Sequence, residues 1–336
     1  MNGESVIPPN HQYSSVKGAG FAADRGRRAT MEDSECIVDG FFDTPDAGYF
    51  AVYDGHGGRD TVDFISRTLH GNLASQLRSH GYTADRFSRA DKQLDDETLQ
   101  TELRTLREIT EAAYKQTDAQ LRRSAIIRSG STTVTCLINY LGNKRYLTVA
   151  NVGDSRAVLC RNDTPIRLTV DHKASLLEEI ERVDEAGGFI TSNHRVNGVL
   201  AITRALGDHL LKDNEVVTYR PHFEQVELTK QDTLMILACD GLWDVVTDIE
   251  AMDIALEVVA RECATAAANR GLDADEYLKQ ELGNGPHKKA CERVRVAALL
   301  NGEALNRACV AASKRLIDEA LRRHTNDNVT AMVILL

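Results

Sequence analysis

The stretch YFAVYDGHGG, residues 49–58, is a short apolar run that ends at an acidic residue followed by glycines. Short runs that are rich in β-branched and aromatic side chains and bounded by Gly, Asp or Asn predict buried β-strands. The pattern recurs further along the chain: residues 146–152 lead into Gly153-Asp154, residues 234–239 lead into Asp240, and residues 329–336 follow Asp327-Asn328. We therefore expect buried strands with aspartates at their ends.

Helical patterns separate these strands. Apolar residues at positions 62, 65, 69 and 73 predict a helix over residues 60–78, and similar patterns cover residues 94–121, 249–263 and 305–323. A further helix is expected to open with a capping box at Ser175–Glu178 and to close at Gly187-Gly188. This order is not the regular alternation of a parallel α/β sheet, so it favours an α+β fold with antiparallel strands.

The composition limits the classes of partner. The chain has 336 residues, with 50 acidic and 40 basic side chains and a net charge of −10. A hydrophobic fraction of 42% excludes a mostly disordered chain. The negative charge argues against binding to nucleic acid through its phosphates and against docking on an anionic membrane. We expect neither as a partner.

The cysteines and the first residues bear on location. Seven cysteines form no CxxC pair, which argues against a zinc ribbon and against a paired disulfide framework. The start, MNGESVIPPN, has no apolar core of signal-peptide length, and no apolar run approaches the ~18 residues of a membrane helix. We expect a soluble protein of a reducing compartment, cytoplasmic and/or nuclear.

The strand-end aspartates suggest a metal site. Asp240 and Asp327 share one edge of a sheet if their strands pair antiparallel, and Asp54 joins them if its strand runs beside that of Asp240. Carboxylates that converge repel one another unless a cation lies between them, and oxygen ligands suit Mg²⁺ or Mn²⁺ rather than zinc. The alternative is that these are ordinary surface aspartates that cap loops.

The flanking residues favour the metal site. Glycines around Asp54 allow the backbone to approach an ion, and Gly55 can offer its carbonyl. His56 lies where a general acid is wanted. Arg28, just before Glu32 and Asp33, can hold a phosphate with two hydrogen bonds while metal ions balance the remaining charge.

These motifs resemble those of the protein phosphatase 2C (PPM) family of metal-dependent Ser/Thr phosphatases. The matching stretches occur in the family's order and span about residues 18–336: RATMED (28–33), YDGHGG (53–58), SGST (129–132), NVGDSRA (151–157), RVNGVLAITRALGD (195–208), CDGLWDV (239–245) and TNDNVT (325–330). The resemblance implies an α+β fold in which two antiparallel sheets pack as a sandwich flanked by helix pairs, in α-β-β-α layers.

The resemblance also implies roles for residues at matching positions. Asp54 bridges two Mg²⁺ or Mn²⁺ ions, Gly55 offers its carbonyl, Asp240 and Asp327 complete the site, Glu32 and Asp33 hold metal-bound waters, and Asp154 and Asp244 hold a third, weaker ion. Arg28 binds the phosphate, and His56 is the candidate general acid. The implied reaction is hydrolysis of phosphoserine and phosphothreonine in phosphoprotein substrates, by direct attack of a water activated by the two metal ions.

The domain organisation is expected to be simple. Residues 1–15 are predicted to be a flexible tail, and residues 16–336 a single catalytic domain, which we expect to be monomeric. Residues 171–196 correspond to the family's flap beside the active site. Residues from about 261 to 304 form an insertion, interpreted as a solvated spacer or as a regulatory surface.

Three other interpretations were weighed. A pseudophosphatase would lack ligand residues, yet each expected position holds a carboxylate. A hydrolase of other phosphoesters remains open, because the metal centre recognises phosphate rather than the leaving group. Cys309 and Arg315 have the spacing of a cysteine phosphatase loop, but that stretch has no glycine and is predicted to be helical.

Overall fold

A computed structural model of the chain describes residues 11–212, 215–269, 294 and 302–336. These residues divide into two units by their contacts. The first unit takes those within Met1–Ala29, Ala157–Arg167 and Leu228–Leu336, and the second takes those within Thr30–Arg156 and Leu168–Glu227.

The helices and strands are numbered in chain order. They are β1 (Gly18–Asp24), β2 (Asp33–Asp39), β3 (Gly48–His56), α1 (Asp60–Ser79), α2 (Ala84–Phe87), α3 (Asp96–Arg123), β4 (Gly130–Leu141), β5 (Lys144–Val152), β6 (Arg156–Arg161), β7 (Thr164–Arg167), α4 (Leu177–Glu185), β8 (Leu206–Gly207), β9 (His222–Leu228), β10 (Asp232–Ala238), α5 (Asp240–Trp243), α6 (Asp248–Ala268), α7 (Gly302–Arg322) and β11 (Val329–Leu335). Short 3-10 helices cover Phe41–Asp43 and His209–Leu211.

The second unit is built on a six-stranded sheet with the order β2-β3-β4-β5-β9, and β8 pairs with β4. The β2–β3, β3–β4 and β4–β5 pairs are antiparallel. Helices α1 and α3 contact each other, and α1 also contacts β2, β3 and β4. The predicted apolar positions of α1, including Ile65 and Leu69, are buried in a core with Tyr53 and Tyr114. This packing explains the spacing of apolar residues in α1.

The first unit is built on a five-stranded sheet with the order β1-β11-β10-β6-β7. Every residue of β10 and β11 is buried, as their continuous apolar sequences predict. Helices α6 and α7 pack together, and α7 also lies against β1 and β11. Helix α6 begins with a capping box between Thr247 and Glu250.

The residues around α4 in the second unit form a small core of their own. Residues Val183, Val196, Ile202 and Val217 belong to one buried cluster. Helix α4 closes at Gly187, as predicted. Gly187 has a φ of +80°, a left-handed conformation that glycine adopts readily. The predicted capping box at Ser175 is wrong, because α4 begins after Leu176, which makes no side-chain cap.

A buried carboxylate ties α4 to the following segment. Glu179 is 2% exposed and accepts hydrogen bonds from Thr203 Oγ1 at 2.6 Å, Arg182 Nε at 3.0 Å and Arg204 Nε at 3.0 Å. Burial alone raises the pKa of Glu179, but the bonds from Arg204 and Thr203 outweigh it and lower the pKa to about 2. The side chain is therefore charged at neutral pH and holds two arginines in place.

The predicted α+β fold class, with two antiparallel sheets flanked by helices, is confirmed. The condition under which Asp54 would share a sheet edge with Asp240, that their strands run side by side, is not met. Strand β3, which carries Asp54, lies in the sheet of the second unit, whereas β10 lies in that of the first. Sequence patterns identify strands, but they do not say which sheet each strand joins.

The predicted domain boundaries stay predictions. Residues 1–10 of the expected tail lie outside the described residues, while Tyr13 and Ser15 are buried. The expected insertion begins inside α6, and most of residues 270–301 lie outside the described part of the chain. Among the described helices, none is both long and apolar enough to cross a bilayer.

The contact between β1 and α7 gives a stability prediction. A Cβ on Gly20 would lie 2.6 Å from the backbone nitrogen of Val310, so Gly20→Ala forces backbone to move. We expect it to lower the free energy of unfolding by roughly 1–3 kcal/mol in urea titrations. Gly71, on α1, has nothing within 4 Å of an added Cβ, so Gly71→Ala should stabilise by about 1 kcal/mol. Equal stability of the two variants would contradict the predicted packing.

The Glu179 network gives a pH-dependent prediction. Because the folded-state pKa lies below that of the unfolded chain, the carboxylate stabilises the fold above about pH 4.5, and this stabilisation is lost as the pH falls toward 2. Glu179→Gln should therefore destabilise by about 3 kcal/mol at pH 7, and the difference from wild type should shrink below pH 4.5. Urea titrations at several pH values test this, with exposed Glu178→Gln as the control. A difference independent of pH would refute the role of the charge.

Candidate metal centre and phosphate site

Three aspartates of the second unit come together around the end of β3. Asp33 on β2 pairs in register with Asp54 on β3, and a carboxylate oxygen of each lies within 4.8 Å of the other. Asp154, in the turn after β5, also brings a carboxylate oxygen within 4.8 Å of one on Asp54. Asp33 and Asp154 are 3% and 5% exposed. Buried carboxylates this close repel one another, so the arrangement suits a divalent cation.

The backbone next to Asp54 leaves room for an ion. The Gly55 amide donates to the Glu32 carbonyl at 3.2 Å, and a Cβ on Gly55 would lie only 2.4 Å from that oxygen. Position 55 therefore requires glycine. The Glu32 carboxylate accepts hydrogen bonds from the Gly58 amide at 3.1 Å and from the Thr30 hydroxyl at 2.9 Å. Glu32 is thus oriented toward the same turn that carries Asp54.

An arginine that the sequence did not single out fastens this turn. Arg59 Nη1 donates to the carbonyls of Met31 and Asp33, while Nη2 bonds to Asp63 on α1 at 2.9 Å. The guanidinium therefore links the start of α1 to the backbone just before β2. Arg59 directly follows the DGHGG motif, but nothing in the sequence pairs it with residues so far back in the chain.

Residues 171–173 contact the turn that carries Asp154. Both the backbone amide and Nδ1 of His172 approach the Gly153 carbonyl, at 2.9 and 3.0 Å. Burial lowers the pKa of His172 to about 3, so the imidazole is neutral and its Nδ1 donates. Arg156, beyond the turn, pairs with Asp171 through two nitrogens. Gly153 has a φ of +83°, which favours glycine at this turn.

His56 is held by a buried carboxylate. Its Nε2 lies 2.7 Å from Oδ2 of Asp208, which is 4% exposed. A Cβ on residue 130 would lie 2.0 Å from that oxygen, so Gly130 makes room for the pair. Burial lowers the pKa of His56, but the hydrogen bond and charge of Asp208 outweigh it, and the net pKa is raised. The imidazolium form, a proton donor, is therefore favoured.

Asp208 is a second residue to which sequence analysis gave no role. It ends the RALGD stretch, 152 positions from His56. Its backbone is in the left-handed region with a φ of +49°, and its amide donates to the Ser129 carbonyl at 3.0 Å. Only the fold brings this stretch beside β3, so residue spacing contains no signal for the pairing.

In the first unit, Arg28 lies against the residues that precede β11. Arg28 Nη2 bonds to Asp327 Oδ2 at 2.6 Å, and Nε donates to the Asn326 carbonyl at 3.1 Å. The Arg28 side chain is 57% exposed. A Cβ on Gly26 would lie 2.3 Å from the Asp327 carbonyl, so the loop before Arg28 packs closely on this segment. The guanidinium is thus oriented and accessible.

Asp240 lies at the same end of the first sheet as Asp327. Strands β10 and β11 pair antiparallel, and the Cys239 amide bonds to the Thr330 carbonyl at 3.2 Å, so the end of β10 meets the start of β11. A Cβ on Gly241 would lie 1.9 Å from the Asn328 carbonyl. Asp244 is exposed, and its amide bonds to the Asp240 carbonyl at 2.8 Å. The condition that the sequence left open for a shared edge, antiparallel pairing of these two strands, is thus met.

The cysteine-nucleophile alternative finds no support. Cys309 lies inside helix α7 and is fully buried. Burial raises the pKa of its thiol far above neutral, so it stays protonated. A protonated thiol in a helix offers neither a nucleophile nor a phosphate loop.

Comparison with known proteins identifies the family. Residues 18–278 match the family model described as Protein phosphatase 2C. The chain is 35% identical over 270 residues to "Protein phosphatase 2C homolog 1" of Saccharomyces cerevisiae, covering 76% of this chain and 88% of that protein. It is 32% identical over 348 residues to "Protein phosphatase 2C 3" of Arabidopsis thaliana, covering 99% and 75%.

The fold agrees with solved structures. A crystal structure of a serine-threonine phosphatase 2C from Toxoplasma gondii aligns with a TM-score of 0.66 and 21% identity, covering 94% of each chain. This likeness shows the fold, and the match to the family model over residues 18–278 shows the family. The chain belongs to the protein phosphatase 2C family of metal-dependent serine/threonine protein phosphatases.

Proposed function

We propose that this phosphatase hydrolyses phosphoserine and phosphothreonine in proteins with two Mg²⁺ or Mn²⁺ ions held by the residues that its motifs predict. The expected ligands are Asp54, the Gly55 carbonyl, Asp240 and Asp327, with Glu32 and Asp33 holding bound waters and Asp154 and Asp244 holding a third, weaker ion. The observation that carries this proposal is that Asp54 lies within 4.8 Å of both Asp33 and Asp154. Such a donor set of hard oxygens fits Mg²⁺ or Mn²⁺.

Each group has a separate task. When bound, the divalent ions supply activation of water and neutralisation of the phosphoryl charge. Asp54 on β3, Asp33 on β2 and Asp154 after β5 would hold the ions through their carboxylate oxygens. Arg28 presents an exposed guanidinium whose Nε and Nη2 already bond to Asn326 and Asp327. Little conformational entropy is therefore lost when the guanidinium binds a phosphate oxygen.

His56 supplies the proton that the leaving oxygen needs. Because Nε2 bonds to Asp208, the proton for the leaving serine or threonine oxygen comes from Nδ1. Asp208 fixes the ring orientation and favours the protonated form before the reaction. Asp208 is in this proposal a positioning residue, because it acts through His56.

The cellular setting is proposed from weaker signs. The six cysteines among the described residues are all buried thiols, which suits the reducing cytoplasm or nucleus. A monomeric state stays a prediction from the sequence, as does the interpretation of residues from about 261 to 304 as a solvated spacer or, alternatively, a regulatory surface.

The metal proposal is tested with a phosphothreonine peptide. We expect phosphate release with Mn²⁺ that stops on chelation. Asp54→Asn and Asp240→Asn should each lower the rate about 100-fold or more, since both residues are expected to bind the metal ions directly. Asp253→Asn, on an exposed position of α6, and Cys309→Ala should retain the wild-type rate. Activity that survives full chelation would contradict the proposal, and equal activity on nucleotides would favour the broader phosphoester hydrolase.

The role of Asp208 is tested by varying the leaving group. Asp208→Asn should lower kcat for the phosphothreonine peptide about 100-fold, yet change p-nitrophenyl phosphate hydrolysis little, because nitrophenolate leaves without protonation. The variant also lacks the charge that raises the pKa of His56, so its kcat should fall at a lower pH on the alkaline side.

Controls separate positioning from folding. Adding His56→Ala to Asp208→Asn should cost little more than either change alone, because both remove the same proton donor. Asp184→Asn, on exposed α4, should leave both substrates unaffected. Equal losses with the two leaving groups would mean that Asp208 only supports the structure.

A further inference from the structure

Residues Asp171, His172 and Lys173 each contact the turn that carries Asp154. Asp171 binds Arg156 on one side of the turn, and His172 binds the Gly153 carbonyl at its centre. The third side chain, Lys173, places Nζ 3.7 Å from Oδ2 of Asp154. Three consecutive residues thus hold this turn, and the last of them contributes a positive charge.

The position of the Lys173 ammonium is set by the backbone. The Lys173 amide donates to the Asp171 carbonyl at 2.9 Å, and the residue forms a bridge with Ile202. The Lys173 side chain is 34% exposed, whereas that of Asp154 is 6% exposed. A partly solvated cation therefore approaches a buried carboxylate that already lies within 4.8 Å of Asp54. The ammonium therefore forms an ion pair with this buried carboxylate.

We propose that Lys173 competes with a divalent cation for Asp154 and thereby sets the affinity of the weaker metal site. This inference rests on the proposed assignment of Asp154 as a metal ligand. An ion that binds Asp154 must displace the ammonium or accept it as a near neighbour of like charge. Either way the lysine weakens binding, and its exposure lets it swing into solvent when the ion enters.

The competition predicts a gain of affinity on removal of the charge. Lys173→Met keeps the aliphatic length but has no ammonium. The dissociation constant of the weakest Mn²⁺ site of the full chain should therefore fall about fivefold. Lys173→Arg keeps the charge and should stay within about twofold of wild type. Calorimetric titration of the metal-free chain with Mn²⁺ measures these affinities without any substrate.

A double-mutant cycle assigns the effect to Asp154. In the Asp154→Asn background, Lys173→Met should change no Mn²⁺ affinity, because the shared ligand is gone. Lys173→Gln serves as a second neutral variant in case Lys173→Met folds poorly, which circular dichroism of both variants would reveal. Unchanged or weaker Mn²⁺ binding in both neutral variants, or an equal gain in the Asp154→Asn background, would overturn the proposal.

The same titrations distinguish this inference from the proposed function. If Mn²⁺ binds and responds to Lys173→Met but no phosphothreonine peptide is hydrolysed, the phosphatase proposal fails and the competition stands. If hydrolysis requires Mn²⁺ and Asp54 while Lys173→Met leaves every Mn²⁺ affinity unchanged, the competition fails and the phosphatase proposal stands.

Discussion

Repulsion among carboxylates at the end of β3 is the constraint on which the site depends. Asp54 has a carboxylate oxygen within 4.8 Å of one on Asp33 and of one on Asp154. At an effective dielectric constant of about 20, each such pair of charges costs on the order of 3 kcal/mol. A fold that tolerates this cost must gain it back from neighbouring interactions, and a bound cation removes it. The residues around these aspartates therefore form a supporting frame, whose contacts must offset the repulsion between the carboxylates.

That frame is made largely of backbone contacts that only small residues permit. Gly55 lies against the Glu32 carbonyl, and Gly153 takes a left-handed conformation beside Thr132, whose side chain would lie 2.6 Å from an added Cβ. Around these glycines, Arg59 and His172 donate hydrogen bonds to main-chain carbonyls. The strands and turns that carry the carboxylates are thus held by contacts to main-chain atoms, as in preorganised sites that keep their ligand geometry. The glycines of these motifs thus meet a packing need at Gly55 and Gly153.

The sequence was informative wherever a pattern is local. Periodicity placed α1 within about one residue of its observed limits, Asp60–Ser79, and continuous apolar runs identified β10 and β11. Where several local conformations compete, the pattern misled, as at Ser175, where the chain instead starts α4 after Leu176. The proposed site residues were identified from the family's motifs. No local pattern could group Asp54 with Asp240, because their strands belong to different sheets. Sequence patterns could not identify Arg59, Asp208 and Lys173 as partners of the site residues, because their contacts depend on tertiary structure.

The RALGD stretch shows how one short segment serves two purposes. At its start, Arg204 binds the buried carboxylate of Glu179 on helix α4. At its end, Asp208 binds His56, and between them the Gly207 amide donates to Asp118 on α3 at 2.9 Å. The segment is thus anchored to three separate elements by carboxylates that are all less than a tenth exposed. Helix α4 and the ring of His56 are therefore both held by contacts of this one short segment.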